Sequence, residues 1–501
     1  MLMPRRGFLG GLAALGAGLF LPRPVFAAGP ASLLDEARAL ARRPYRAPSG
    51  PLPPPFAGLD YDAYRSIRPI DGRSAGLELG QDFVVDLLPP GLFYQNAVTV
   101  ELPDGDGWAT VPFSPTLFDF GADRFGAVPD EAPGAGFSGL RLRHPIDRPG
   151  VMDEFLVLQG ASYFRAVGRA MQYGLSARAV ALGTGGAAPE EFPRFTRLRL
   201  HPPQGGAARL EAVIDSPSLA GHMTMVAHPG ETTRLDLSVT LMPRRRLTDV
   251  GIAPLTSMYL KGPLRAAVSD DFRPRVHDSD VLVIANGAGD TLWRPIANPA
   301  TLQTSAFADE DPGAFGLYQT ARGFADYEDA EARYDRRPSA RVTPAGDWGR
   351  GAVMLVEIPT GDEFMDNIVA FWRPEAPLEA RSEHRFDYRI DWTADAPDTR
   401  SPARIVQTRS GRQHDLSGAL RYVIDYEDAP EGVALDLGSN AGTVTGETLH
   451  PIPGGRLRAS FLLAPGDADA VELRAALRFA DGRAASPVWL HRWTRARDGG
   501  N

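Results

Sequence analysis

The stretch from Glu357 to Pro374, EIPTGDEFMDNIVAFWRP, places Asp362, Glu363 and Asp366 on a short connection between two apolar runs, VMLVEIP and NIVAFW. Carboxylates on a loop between rigid strands are well placed to face a ligand. The same residues also make an acceptable hairpin loop, in which Asp366 and Asn367 help the turn. Three stretches mix carboxylates, aromatic rings and arginines in this way. QGASYFRAVGRAMQYGLSARAVAL (159 to 182) carries Tyr163, Arg165, Tyr173 and Arg178, and RVHDSDVLVIANGAGDTLWRPIANP (275 to 299) carries Asp278, Asp280 and Trp293. The last runs from FADYEDAEARYDRRPSARV through GDWGRG into the acidic connection, adding Tyr334, Asp335, Arg336 and Trp348.

These residue types suit the cleavage of an acetal. One carboxylic acid protonates the leaving oxygen while a second carboxylate helps a water attack the anomeric carbon. Aromatic rings offer flat apolar surface to the C–H faces of sugars, and Arg, Asn and Asp serve the hydroxyls. Each stretch equally fits a structural role. SYFR and YGLSAR fit an aromatic corner of a sheet, HDSD a surface turn whose Asp and Ser cap their own backbone, and RYDRRP a solvated ion-pair cluster before a proline.

Other chemistries find less support. With Cys 0 there is no thiolate, disulfide or iron–sulfur ligation. The nine histidines are scattered, without the close pairing that strong metal motifs use, so no metal or other cofactor is expected. GTGGAAPE lacks the lysine and hydroxyl of a phosphate loop, and no G-x-S-x-G nucleophile elbow occurs. No basic face or aromatic–basic module points to nucleic acid. Lys261 is the sole lysine, so positive charge is nearly all arginine and a single arginine signals less than usual.

The elements that must hold these residues read as strands. A chain of 501 residues, with Gly 53, Pro 45 and many short alternating runs, fits an all-β architecture of more than one domain. Strand patterns recur in DFVVDLL, NAVTVELP, LRLRHPI, FTRLRLHPP, RLEAVID, TRLDLSVTLMP, VLVIANG and FDYRIDWT. SLLDEARALARRPYR predicts one short helix, with Ser32 and Asp35 at its start and Leu33, Ala37, Leu40 and Ala41 on one face. Residues 1–27 read as an export signal: Arg5-Arg6, an apolar run from Gly7 to Leu21, and Val25-Phe26-Ala27 as a small-x-small cleavage pattern. The arginine pair followed by Gly-Phe-Leu is of twin-arginine type, which predicts periplasmic delivery without stable membrane insertion. Residues 28–395 are then the large β-sandwich, 396–401 a linker, and 402–496 a small sandwich of immunoglobulin-like size, built from RYVIDYEDA, RLRASFLLAP, AVELRAALRFADG and VWLHRW.

Taken together and in order, GASYFRAVGRAMQYGLSAR, EEFPRF, GIAPLTSMYL, FRPRVHDSD, WRPIANP, ARYDRRPSARVTPAGDWGRG and VEIPTGDEFMDNIVAFW resemble the periplasmic glucan biosynthesis proteins of the G/D type, which act on osmoregulated periplasmic glucans. The twin-arginine leader is closer to the D-type member. The resemblance covers nearly the whole chain after the leader. It implies a galactose-mutarotase-like N-terminal sandwich with a cleft, a small immunoglobulin-like sandwich, and inverting action on β-1,2-linked glucan. It assigns the acid to Asp366 and the base to Asp278, with Tyr334 and Glu363 as neighbours that contact substrate. Tyr163, Arg165, Trp293 and Trp348 are the remaining candidates for sugar contact. An endo-β-1,2-glucanase, a transglycosylase that cyclises or branches the glucan, and a non-catalytic glucan-binding accessory all fit this frame. Phe364-Met365, where relatives carry polar residues, bears on the choice between water and a sugar as acceptor.

Overall fold

The computed structural model describes residues 32–48, 50–121, 124–264, 270–412 and 419–499. The export signal lies outside the described residues. Among those residues no helix is long and apolar enough to cross a membrane.

The fold is all-β, as expected, and every strand pattern named above forms a strand. Two large sheets face each other. One has 11 strands, with Val250–Ser257 between Ser176–Arg178 and Ile368–Pro374, followed outward by Arg350–Glu357 and Gln303–Glu310. The other has 14 strands and includes Thr233–Pro243, whose alternation buries Leu235, Leu237, Val239 and Leu241 on one face. This period of two is what a sheet with one face on the core requires. Val250–Ser257 is instead buried along its whole length. A strand covered on both faces is a rigid place to hang a site.

One core fills the space between the sheets, from Leu142, Leu156 and Leu158 on one side to Met223, Leu235 and Leu237 on the other. Full burial of each such side chain contributes about 1.5–3 kcal/mol. The predicted helix is Leu33–Ala41. Ser32 accepts a hydrogen bond from the Asp35 N–H at 3.2 Å, and Leu33 and Ala37 are buried against Val213 and Met242.

No strand forms between Thr393 and Arg404, and the chain then enters a second core. A four-stranded sheet, containing Arg404–Arg412 and Leu420–Glu427, covers one side of that core. The other side is formed by Ala434–Ser439, Ala470–Arg478 and Val488–Thr494, and these do not make a separate sheet. Val488–Thr494 pairs in parallel with Thr291–Pro295, Leu292 opposite Val488 and Trp293 opposite Trp489, so the 14-stranded sheet runs through both parts of the molecule. Parallel pairing between segments so distant in the chain leaves no turn signal in the sequence.

Candidate active site

Asp366 and Asp278 are 88 residues apart in sequence, yet Asp278 is fastened to Met258, and Asn367, the residue after Asp366, to Tyr259, just past the end of Val250–Ser257. Asp278 donates its backbone N–H to the Met258 carbonyl at 2.9 Å. On the other side, the buried Asn367 side chain accepts from the Tyr259 N–H at 2.8 Å and donates to the Tyr259 carbonyl at 3.0 Å and the Ile358 carbonyl at 2.9 Å. Ladder pairing extends both anchors: Ser257 lies opposite Ile368, and Tyr259 opposite His277. The acidic connection is ordered before Asp366 as well, since Asn298 bonds Thr360 through both amide atoms and Asp362 accepts from the Phe364 N–H. Its role as a turn and its role as a ligand-facing loop are therefore compatible.

The two carboxylates have different surroundings. Asp366 keeps 35% of its side chain exposed, with Arg165 Nη2 at 3.5 Å. Burial by the surrounding protein raises its pKa above the ordinary 3.8, Arg165 opposes that rise, and the charge of Asp278 adds to it. Asp278 is nearly inaccessible and forms an ion pair with Arg337. A carboxyl biased toward its acid form beside one held in an ion pair matches the division of labour in a two-carboxylate site.

Arg337 organises this side of the site. Its guanidinium lies 3.9 Å from the centroid of the Tyr334 ring. The side chain also packs against Gly174 so closely that a Cβ there would meet Arg337 Cβ at 2.9 Å. Tyr334 donates its hydroxyl to Glu363 Oε2 at 2.6 Å, and Arg273 holds the same carboxylate at 2.9 Å. Burial, then the Glu363 carboxylate, drives the Tyr334 pKa upward, so the phenol keeps its proton. The 3₁₀ turn Tyr334–Arg336 that carries the ring is set by Arg333, which has left-handed φ of 45° and pairs with Asp335.

An open cavity of ≈ 650 Å³ is lined by Asp366 together with Tyr163, Arg165, Tyr173, Phe93 and Tyr94. Arg178 lies 5.3 Å from the Tyr163 ring centroid and is held by Glu190 at 2.5 Å. The Tyr173 hydroxyl is buried and finds no hydrogen-bond partner among the described residues. A buried hydroxyl without a partner costs free energy. Phe93 is 85% exposed. Gly160, at φ of 70°, lets the chain pass under Tyr94, where a Cβ would meet the ring at 2.9 Å.

The structure thus gathers Asp366, Asp278, Tyr334, Glu363, Tyr163 and Arg165. It does not bring Trp293 or Trp348 to the cleft. Trp293 is 4% exposed and packs in the second core. Trp348 lies in the first core, its ring centroid 6.3 Å from that of Trp372 and 6.0 Å from that of Tyr388. Both are large apolar groups in strand-adjacent segments, and burial outweighs availability to a ligand. Asp280 is engaged by the Thr320 N–H at 2.9 Å and hydroxyl at 2.5 Å, and Asp335 by Arg333. Arg337, Arg273, Phe93 and Asn367 were not identified from sequence. The arginines carry no spacing signal in so arginine-rich a chain, and Phe93 follows a turn without other markers.

Residues 29–493 match the family model described as Periplasmic glucan biosynthesis protein, MdoG. Among similar proteins, Glucans biosynthesis protein G of Vibrio cholerae serotype O1 is 41% identical over 470 residues, covering 91% of this chain and 85% of the relative. The protein of the same name from Rhodopseudomonas palustris is 42% identical over 509 residues, covering 98% of this chain and 100% of the relative. That from Shewanella frigidimarina is 40% identical over 472 residues, with 92% and 84% covered. With a family model spanning nearly its whole length and relatives matching end to end, this chain belongs to the periplasmic glucan biosynthesis protein family, MdoG.

Proposed function

We propose that the protein works in the periplasm on β-1,2-linked glucan as an inverting endo-acting glucanase that processes osmoregulated glucans. The observation that carries this reading is the anchoring of Asp278 on Met258 and of Asn367, the residue after Asp366, on Tyr259, with Asp366 itself lining the cavity that also takes in Phe93. In this reading Asp366 protonates the glycosidic oxygen, and Asp278 takes a proton from the attacking water, directly or through a hydroxyl relay. Arg337 keeps Asp278 oriented. Tyr334 and Arg273 fix Glu363, which accepts hydrogen bonds from glucan hydroxyls. Tyr173, Tyr163 and Arg165 line the path of the adjoining sugars.

Phe364, 91% exposed, and Met365, 41% exposed, stand at the rim just before the acid. Apolar side chains there favour a sugar acceptor over water, which keeps transglycosylation as the second reading. Incubation of purified protein with linear β-1,2-glucan, followed by mass spectrometry and anomeric NMR, separates the two. Hydrolysis with inversion yields shorter linear products that first appear as the α-anomer. Cyclic or branched products of unchanged reducing-end count would establish transfer instead. Unaltered glucan that nevertheless binds the protein would leave only the accessory role.

A further inference from the structure

Far from the acidic connection in the chain, the end of helix Leu33–Ala41, the end of strand Thr233–Pro243 and the turn before His384 enclose an open cavity of ≈ 600 Å³. Its lining includes Arg38, Arg42, Arg43, Arg244 and Arg381 against one carboxylate, Glu383. In a chain of formal charge −9 this is a local inversion of sign.

The five arginines are not equivalent. Arg244 is fully engaged: it donates to the Leu40 carbonyl at 2.8 Å, the Arg43 carbonyl at 3.0 Å, the Ser216 carbonyl at 2.5 Å and Asp215 at 2.7 Å. Those bonds also neutralise the negative, carbonyl-rich end of the helix, which would otherwise repel an anion. Arg38 is paired with Glu383 at 2.9 Å and Asp35 at 3.0 Å. The side chains of Arg42, Arg43 and Arg381 have no hydrogen-bond or ion-pair partner among the described residues. Three carboxylates, Asp35, Asp215 and Glu383, thus face five cations, which leaves a net positive surplus. The backbone of Arg381 is fixed in place. It has φ of 66°, a left-handed conformation uncommon outside glycine, and its N–H is held by the Pro243 carbonyl at 2.9 Å.

We propose that this cavity is a phosphate-binding site in which Arg42, Arg43 and Arg381 hold the phosphate of an ester ligand. Planar guanidinium forks suit the oxygens of phosphate. A terminal phosphate presents three acceptor oxygens, one for each unengaged arginine. A soluble phosphate monoester offers all three, and the phosphodiester of an anionic phospholipid headgroup at a membrane surface offers two non-bridging oxygens to the same guanidinium groups.

The test uses the full chain without its leader, the triple variant R42Q/R43Q/R381Q, and Asp366→Asn as a control confined to the cleft. All three substituted arginines are exposed, so the thermal midpoint of the triple variant should match that of the parent. Inorganic phosphate titrated calorimetrically at matched ionic strength in chloride should bind the parent and the Asp366→Asn variant alike, and the triple variant about tenfold or more weakly. Vesicles of phosphatidylglycerol and of phosphatidylcholine then distinguish the sources. Co-sedimentation with phosphatidylglycerol alone, lost in the triple variant, assigns a lipid headgroup. Phosphate binding without retention on either vesicle assigns a soluble ester. The proposal is overturned if neither probe binds, if the triple variant binds both as the parent does, or if both vesicle types retain the protein equally while phosphate does not bind. Because the readouts do not involve glucan, failure here leaves the cleft assignment untouched, and the reverse also holds.

Discussion

Asp366 is held between opposed influences, and the balance determines when it can donate a proton. Burial and the Asp278 charge push its pKa up, while Arg165, Arg178 and Arg337 pull it down. Turnover that needs the acid form falls as pH rises through that elevated value. Replacing Arg165 with Gln removes the first of the opposing cations, so the pKa rises further and the alkaline limb of kcat/KM moves to higher pH. A limb that stays in place, or moves down, would show that another group sets it. Asp366→Asn should lower kcat by about 10²–10⁴-fold while glucan still binds, measured as turnover alongside calorimetric affinity. Full activity in that variant would remove the acid assignment. At this scale the sequence was partly legible. Both carboxylates are assigned through the motifs that carry the family resemblance, but the arginine that pairs with Asp278 is Arg337, next to the Arg336 singled out in the sequence. Which of two adjacent arginines points inward depends on the 3₁₀ turn and on the space left by Gly174, and neither can be read from residue type.

The strands were legible as elements because alternation leaves a period-two pattern, as in Thr233–Pro243. The clamp that aligns them was not. Asn367 reads as an ordinary turn residue, yet it is wholly buried and makes three hydrogen bonds to the backbone of two other segments. Asn367→Ala strands those groups and should cost roughly 2–4 kcal/mol. It should also lower kcat more than it raises KM, since the acid moves relative to Asp278 while the remoter sugar contacts stay. Equal stability in chemical denaturation would refute the clamp. The loop that carries Phe93 has a different task. Its ring is too exposed to serve the core, and it lines the same cavity as Asp366. If the ring stacks a sugar outside the reacting unit, Phe93→Ala should raise KM severalfold for long glucan and leave short oligosaccharides unaffected. A uniform change across chain lengths would place the ring outside the glucan path.

The sequence divides the molecule at a polar passage, and the chain indeed makes no strand between Thr393 and Arg404. What the division hides is that the two parts share a sheet and a core. Val281, Val283, Trp293 and Tyr318, from the first part, pack with Tyr422, Phe461 and Trp489 from the second. Trp293 therefore contributes by holding the parts together, where its aromatic character alone suggested a sugar platform. The two roles differ in what Trp293→Ala would do. Loss of a buried indole typically costs about 3–5 kcal/mol. Because the parallel pair Trp293–Trp489 joins both parts, the loss should lower a single cooperative melting transition and not one of two. Turnover per folded molecule, measured well below the new midpoint, should stay close to the parent value. Two separate transitions in the parent would mean that the shared sheet does not couple the parts. An unchanged midpoint with weakened glucan binding would return Trp293 to the cleft. The coupling has a physical consequence for the site as well: three residues beyond Thr291–Pro295 stands Asn298, which fixes Thr360 in the acidic connection. The C-terminal part thus braces the segment that holds the connection behind Asp366, and loosening it should be felt first as a fall in kcat as temperature approaches the midpoint.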